Sequence, residues 1–189
     1  ANLPVVVAFA DQADNLTLSQ TGYLDRYTEG LGRGRVNLPT DPDDGVVRWI
    51  LLGPNGPGLA AALAKQTGLW TPSDEAETLP LALARNESPD FAAYPLHAVP
   101  LLPASWLAGK FVFIGGNLPH SDLHRTPLAA ISPLRQGTMP GVMIHAHAFN
   151  QLISNVRLRE TPPWALVPVG FLLALLTTSA LGLGLNLRI

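Results

Sequence analysis

The residues of this chain that could do chemistry gather in one stretch. Four of its five histidines, His120, His124, His145 and His147, fall between residues 120 and 147, with Asp122 and Thr126 among them. Histidine and carboxylate groups are the common ligands of zinc and iron, and also the common general acids and bases. Asp122 could bind a ligand or set up His124 as a general base. It could equally cap a turn, or pair with Arg125 or Arg135. Just upstream, Gly115-Gly116-Asn117 could offer a backbone cradle to an anion.

Spacing weighs against several of these chemistries. No serine sits in a Gly-x-Ser-x-Gly setting, and no carboxylate partners Asp122 at a spacing suited to glycoside hydrolysis. No catalytic residue is therefore assigned. The glycine run lacks a third glycine at dinucleotide spacing, and no helix follows it directly. On a helix, His145 and His147 point about 200° apart, so they do not share a metal. No metal and no cofactor are assigned. His145 is expected as a hydrogen-bonded core histidine, on one face with Val142, Ala146, Phe149 and Ile153, and His147 as an exposed one. Asp43-Asp44-Gly45 reads as a β-turn, since the run is too short for a calcium loop. The candidate ligand-binding set is Gly115, Gly116, Asn117, Asp122, His124, Thr126 and His145.

The elements that must hold these residues follow from pattern. Phe111 to Ile114 has the length of a buried strand, and Gly115-Gly116 permits a tight turn at its end. A long loop then runs to Pro140, stiffened by Pro119, Pro127 and Pro133 and pinned by Leu128 and Ile131. It reads as an ordered lid over the strand ends. A helix is expected from Pro140-Gly141 to Ile153. Earlier, Pro4–Ala10, Arg33–Leu38 and Gly45–Leu52 read as strands, the last with Val46, Arg48 and Ile50 on one face. Residues 11–32 read as an irregular connection and Pro39–Asp44 as a turn. Gly58–Gln66 is alanine- and leucine-rich and predicts a helix ended by Gly68. Residues 70–78 read as a polar loop, and Leu79–Arg85 fits strand or helix. One short helix is expected near Ser105. The fold class is α/β: a mixed sheet with flanking helices, followed by a transmembrane helix.

Composition supplies that last element. Charged residues make up 14% of the 189-residue chain, against roughly 25% in ordinary soluble domains. The net charge of −2 gives no pull toward nucleic acid. There is no cysteine, which excludes disulfides and thiolate chemistry. From Thr161 to Leu187 there is no charge at all, while about 20 apolar residues suffice to cross a hydrocarbon core. Trp164 at its start suits an interfacial aromatic, and Pro162, Pro163 and Pro168 sit in the first turns. Residues 161–187 are thus expected in membrane lipid. The division is 1–160 as a body and 161–189 as the start of a membrane region. Flanking charge does not orient the span. Asn15-Leu16-Thr17 and Asn86-Glu87-Ser88 match the glycosylation pattern, which matters only in a eukaryotic secretory pathway.

Four motifs in register carry a resemblance. FVFIGG, DLHRTPL and MPGVMIHAHAFNQLI occur in that order, and DPDDGVVRW (Asp41–Trp49) precedes them. Together they resemble the type-two CHASE domain, the cyclase/histidine-kinase-associated sensory extracellular domain, over most of residues 4 to 160. The chain departs at Gly116-Asn117, where the family usually has Ala-Thr, and at His147, where it often has Asn. The resemblance implies an N-terminally truncated fragment of a larger protein, in which a membrane helix and an earlier α/β portion precede residue 1. It implies an extracytoplasmic, periplasmic sensory domain at a bacterial inner membrane, with Arg188 inside. The signal would be a small molecule or an environmental state, and sensors of this kind often act as homodimers. It also implies two further membrane helices and a cytoplasmic output: a histidine kinase, as in two-component systems, a nucleotide cyclase or a serine/threonine kinase. Beside this sensor stand two alternatives: a membrane-anchored periplasmic hydrolase using Asp122 and His124, and a protein-interaction module.

Overall fold

A computed structural model of the chain describes residues 3–10, 15–53, 56–71, 77–83, 91–118, 122–130, 137–158 and 162–186. The chain divides into two compact units, Ala1–Arg157 and Leu158–Ile189.

The first unit is mixed α/β, and among the described residues its strands pair two by two. β1 (Val6–Phe9) and β2 (Gly32–Arg35) pair in parallel. β3 (Trp49–Leu51) and β4 (Thr78–Pro80) pair antiparallel, as do β5 (Leu123–Arg125) and β6 (Thr138–Pro140). Single bridges tie these ribbons together: Thr40 to Val47, Val46 to Arg125 and Arg35 to Gly58. The stretch from Val46 to Leu51 is therefore the hub, pairing with β4 at one end and with β5 at the other. The expected face alternation there is blurred, because Val46, Val47 and Ile50 are all buried.

Why that hub forms is local chemistry. The turn before it is closed by the Gly45 N–H donating to the Asp41 carbonyl at 2.8 Å, with Gly45 at φ 70°. The Arg48 guanidinium reaches back to the Asp41 carboxylate at 2.8 Å and to both oxygens of Asp44 at 2.7 Å. That bond to Arg48 holds the Asp44 carboxyl down at about 2. The DPDDGVVRW motif is thus a self-bracing turn, closed over five residues (Asp41 to Gly45) and not over the four of the expected β-turn.

Residues 11–32 are not wholly irregular. They contain α1 (Leu18–Tyr27), opened by a capping box. The Gln20 N–H donates to the Thr17 hydroxyl at 3.3 Å, and the Thr17 N–H donates to the Gln20 carboxamide at 2.8 Å. No residue of α1 is buried, so no apolar period announces it.

α2 (Leu59–Gln66) follows the expected bounds, and Gly68 beyond it has the positive φ of a helix-ending glycine. Its alanines, with Ala61 and Ala64 fully buried, let α2 pack closely against β1, β2 and α4 (Gly141–Ile153). Gly34 is needed in β2, since a Cβ there would lie 2.5 Å from the Leu59 backbone. On the far side, Ile144, Ala148, Phe149 and Leu152 of α4 complete the core with Val47, Ile50 and Leu81. Each large apolar side chain buried there contributes about 1.5–3 kcal/mol. The predicted short helix near Ser105 is α3 (Ala104–Leu107), preceded by a 3-10 turn at Leu96–Leu101.

Two expectations around the central stretch are corrected. Phe111–Ile114 is not a buried strand: no strand pairs with it among the described residues, and Val112 and Ile114 are 55% and 78% exposed. Gly115-Gly116 does not make the expected tight turn either: the backbone there neither turns nor bends, and neither glycine has a positive φ. Gly115 serves close approach instead, because a Cβ there would meet the Val142 side chain at 2.7 Å. Within the long segment to Pro140 lie β5, a 3-10 turn at Pro127–Ala130 and β6. His120, Ile131, Pro133, Arg135 and the Asn86 sequon lie outside the described residues.

The second unit contains α5 (Pro163–Asn186), a 24-residue helix with Pro168 in its second turn. Among the described residues, no helix is long and apolar enough to cross a membrane. Within α5, side chains are described for 164–180 only, fewer than the roughly 20 that a span requires. Its described leucines and valines, Trp164 and Phe171 are exposed on every side. The Thr177 and Thr178 hydroxyls each donate to the Ala174 carbonyl at 2.9 Å, so their polarity is absorbed inside the helix.

Candidate functional site

The candidate residues converge on the first turn of α4. β6 runs into this helix without a loop, and Pro140 is the N-cap residue, which provides no side-chain cap. The missing cap is made good by the paired strand. The Gly141 N–H donates to the Asp122 carbonyl at 3.2 Å, just before β5 begins. Asp122 has φ 63°, a conformation that Asp tolerates better than most residues. The same twist swings its carboxylate over the helix: a Cβ at Gly141 would lie 2.7 Å from Asp122 Oδ1. A side chain at 141 would therefore push the Asp122 carboxylate aside; with glycine there, a negative group lies against the positive end of the helix dipole.

His124 completes the arrangement. Its Nε2 lies 3.1 Å from Asp122 Oδ1, and both side chains are partly exposed. His145, one turn into α4, is 5% exposed and bonds through Nε2 to the Val36 carbonyl at 3.1 Å. Burial pushes its pKa below the ordinary 6.5, against weaker opposing pulls from the Val36 carbonyl and the Asp122 charge. A neutral His145 with Nε2–H donating to Val36 fits that environment.

The sequence set thus sorts into three groups. Gly115, Asp122 and His124 come together at the α4 N-terminus, with His145 beneath them. Thr126 is buried, and its N–H and hydroxyl both point at the Gly137 carbonyl, at 3.1 and 3.5 Å, so it closes the β5–β6 hairpin. Gly116 and Asn117 lie on the exposed segment next to Val142. The anion cradle expected at Gly115–Asn117 meets an obstacle, since the Asp122 carboxylate already occupies this end of α4. The partner of Asp122 is His124, while Arg125 turns away to the Asp44 carbonyl at 3.2 Å. His147 is half-buried, with its ring 4.9 Å from that of Phe91, not exposed as expected. No group of three metal-ligating side chains occurs among the described residues. A cavity of about 10 Å³ lies below, lined in part by His145, Ile144, Ile50 and Asn37, and holds at most about one water.

One residue of consequence was not singled out by spacing. Gln151 is 3% exposed, and its carboxamide binds three backbone groups. Oε1 accepts from the Ala82 N–H at 2.6 Å, and Nε2 donates to the Pro80 carbonyl at 2.8 Å and the Val156 carbonyl at 3.2 Å. It stands in for a strand beside β4 and pins the segment leaving α4. The available signal was an amide three residues after Ala148 and seven after Ile144, on the core register of an uncharged helix.

Comparison with known families settles the class. The model of the CHASE2 domain matches residues 6–185. The chain belongs to the CHASE2 family. CHASE2 domains are extracytoplasmic sensory domains of signalling receptors and are not themselves catalytic, so Asp122 and His124 sit in a sensory domain. No curated protein and no solved structure matches the chain.

Proposed function

We propose that residues 1–160 are the periplasmic sensory body of a bacterial inner-membrane receptor, and that α5 carries its state into the membrane. The observation that carries this reading is the extent of the CHASE2 match, which runs through the body and on into α5 to residue 185. At 1.5 Å per residue, 24 helical residues reach about 36 Å, against ~30 Å of hydrocarbon core. The sequence from Thr161 to Leu187 is uncharged, and the threonines satisfy their hydroxyls within the helix, which suits lipid.

The signal, a small molecule or an environmental state, acts at the α4 N-terminus, on Asp122 and His124, with Gly115, Gly116 and Asn117 beside them. A carboxylate and an imidazole there favour a ligand that offers hydrogen-bond donors or positive charge over an anion. A ligand preferring one arrangement of this corner shifts the population of α4 positions, and α4 leads through Ser154–Arg157 to α5. The output is a histidine kinase, a nucleotide cyclase or a serine/threonine kinase on the cytoplasmic side.

The test uses the parent receptor in its native membrane. Asp122→Asn and His124→Ala are expected to change output signalling severalfold while the melting temperature stays within about 2 °C. Unchanged signalling in both variants overturns the assignment of the site. Recovery of the intact protein in the aqueous fraction without detergent overturns the membrane reading.

A further inference from the structure

We propose that the signal read at the Asp122–His124 corner is the proton: His124 takes it up on acidification, and the change of charge is delivered to the first turn of α4. The inference rests on the sensory reading given above and names what that site responds to. Imidazole is the side chain whose ordinary titration falls between about pH 5 and 8. Protons reach this pair from solvent, since the His124 side chain is 31% exposed and that of Asp122 is 41% exposed. The His124 Nε2 lies 3.1 Å from Asp122 Oδ1. With the neutral ring donating Nε2–H to that oxygen, the added proton goes to Nδ1, and the pair becomes imidazolium and carboxylate.

Geometry makes that proton felt by α4. Asp122 is joined to the helix twice. Its carbonyl accepts the Gly141 N–H at 3.2 Å, and its Oδ1 lies over Gly141, 2.7 Å from where a Cβ would stand. The same Oδ1 is the atom that meets His124. While His124 is neutral, the full carboxylate charge serves the helix N-terminus. Once His124 is charged, the imidazolium competes for that oxygen and the pair is neutral overall, so the first turn loses electrostatic support.

The surroundings make this a one-proton device. β6 brings Thr138, Met139 and Pro140 alongside β5, and neither α4 nor Phe111–Leu118 carries a charge. Arg125 bonds to the Asp44 carbonyl, while Asp41 and Asp44 hold Arg48. Among the described residues, neither Asp122 nor His124 has a further side-chain ion pair or hydrogen bond. The second imidazole is His145, buried on α4 and bonded to the Val36 carbonyl. Burial already disfavours its charged form, and a charge on His124 disfavours it further.

The experiment uses the full 189-residue chain in detergent micelles for hydrogen exchange, and the parent receptor in its membrane for output. Exchange is expressed as protection relative to the intrinsic rate at each pH. From about pH 7.5 to about pH 5.5, protection of the Gly141 amide is expected to fall at least about threefold, that of Phe149 in the helix interior by much less, and output to change severalfold. His124→Gln is expected to abolish both the Gly141 response and the output response, and His145→Gln to keep both. Asp122→Asn, which preserves the backbone carbonyl and removes the charge, is the second variant and is expected to abolish the Gly141 response. A Gly141 response that survives His124→Gln, or that His145→Gln removes, overturns the proposal. So does receptor output that stays flat with pH. Flat output that Asp122→Asn nevertheless alters at fixed pH overturns the proton alone and leaves the sensory site standing. Output indifferent both to pH and to Asp122→Asn and His124→Ala at fixed pH overturns both.

Discussion

α4 and α5 are both helices without a single charged residue, yet they are different objects. α4 buries eight of its thirteen residues, and its buried polar side chains are answered, His145 by Val36 and Gln151 by three backbone groups. α5 buries none of its described side chains, and its apolar residues point outward all round. An uncharged helix is therefore ambiguous by composition. What separates the two is whether polar groups are placed to meet partners on a neighbouring element. α4 carries such groups at fixed register, whereas α5 folds its hydroxyls back on itself.

That contrast can be broken by mutation. Phe149→Ala, at the centre of the α4 face, should destabilise the body by about 3–5 kcal/mol, read as the shift in its denaturant midpoint. The same truncation at exposed Phe171 should leave that midpoint unmoved. Leu173→Arg, in the middle of α5, should cost about 2.5–3.5 kcal/mol of membrane insertion and nothing in the stability of the body. Measured insertion equal to wild type would return α5 to the class of ordinary surface helices. Gln151→Leu removes the carboxamide while keeping the bulk. It should cost about 1–3 kcal/mol by stranding the Ala82 N–H and the Pro80 carbonyl. Hydrogen exchange should quicken at Ala82 while the α4 amides retain their protection.

The smallest effect sharpens the account of His145. Its folded-state pKa is depressed by burial, so the unfolded chain takes up a proton that the folded chain refuses. Stability conferred by the neutral ring is full above the ordinary value of 6.5 and declines as pH falls below it toward the depressed value. A His145→Gln variant should flatten the stability curve over that window. An unchanged slope would mean that His145 is protonated in the fold.

Much of the fold was legible. The Gly45–Leu52 strand and the α2 helix with its Gly68 stop, together with α4, are all announced by short-range rules of period, cap and turn. So is the core role of His145, because the 3.6-residue repeat fixes which residues share its face. α1 was overlooked for the converse reason: it has a cap but no buried stripe, and the Thr17–Gln20 pair was the only signal. The candidate site was half legible. Residue type pointed to Asp122 and His124, but Thr126 turned out to close a hairpin, and Gln151 went unmarked because an amide looks ordinary until its register against β4 is known.

Family membership, the uncharged tail and the identity of the reactive side chains were determined by the sequence alone, since each depends only on which residues follow one another. Tertiary structure decided the rest. It placed Asp122 against Gly141 and, among the described residues, left Phe111–Ile114 without a strand partner and divided the expected sheet into ribbons. Those outcomes depend on which backbones approach within hydrogen-bonding distance across long separations in the chain. An apolar run carries its preference for burial but not the location of the surface that would bury it.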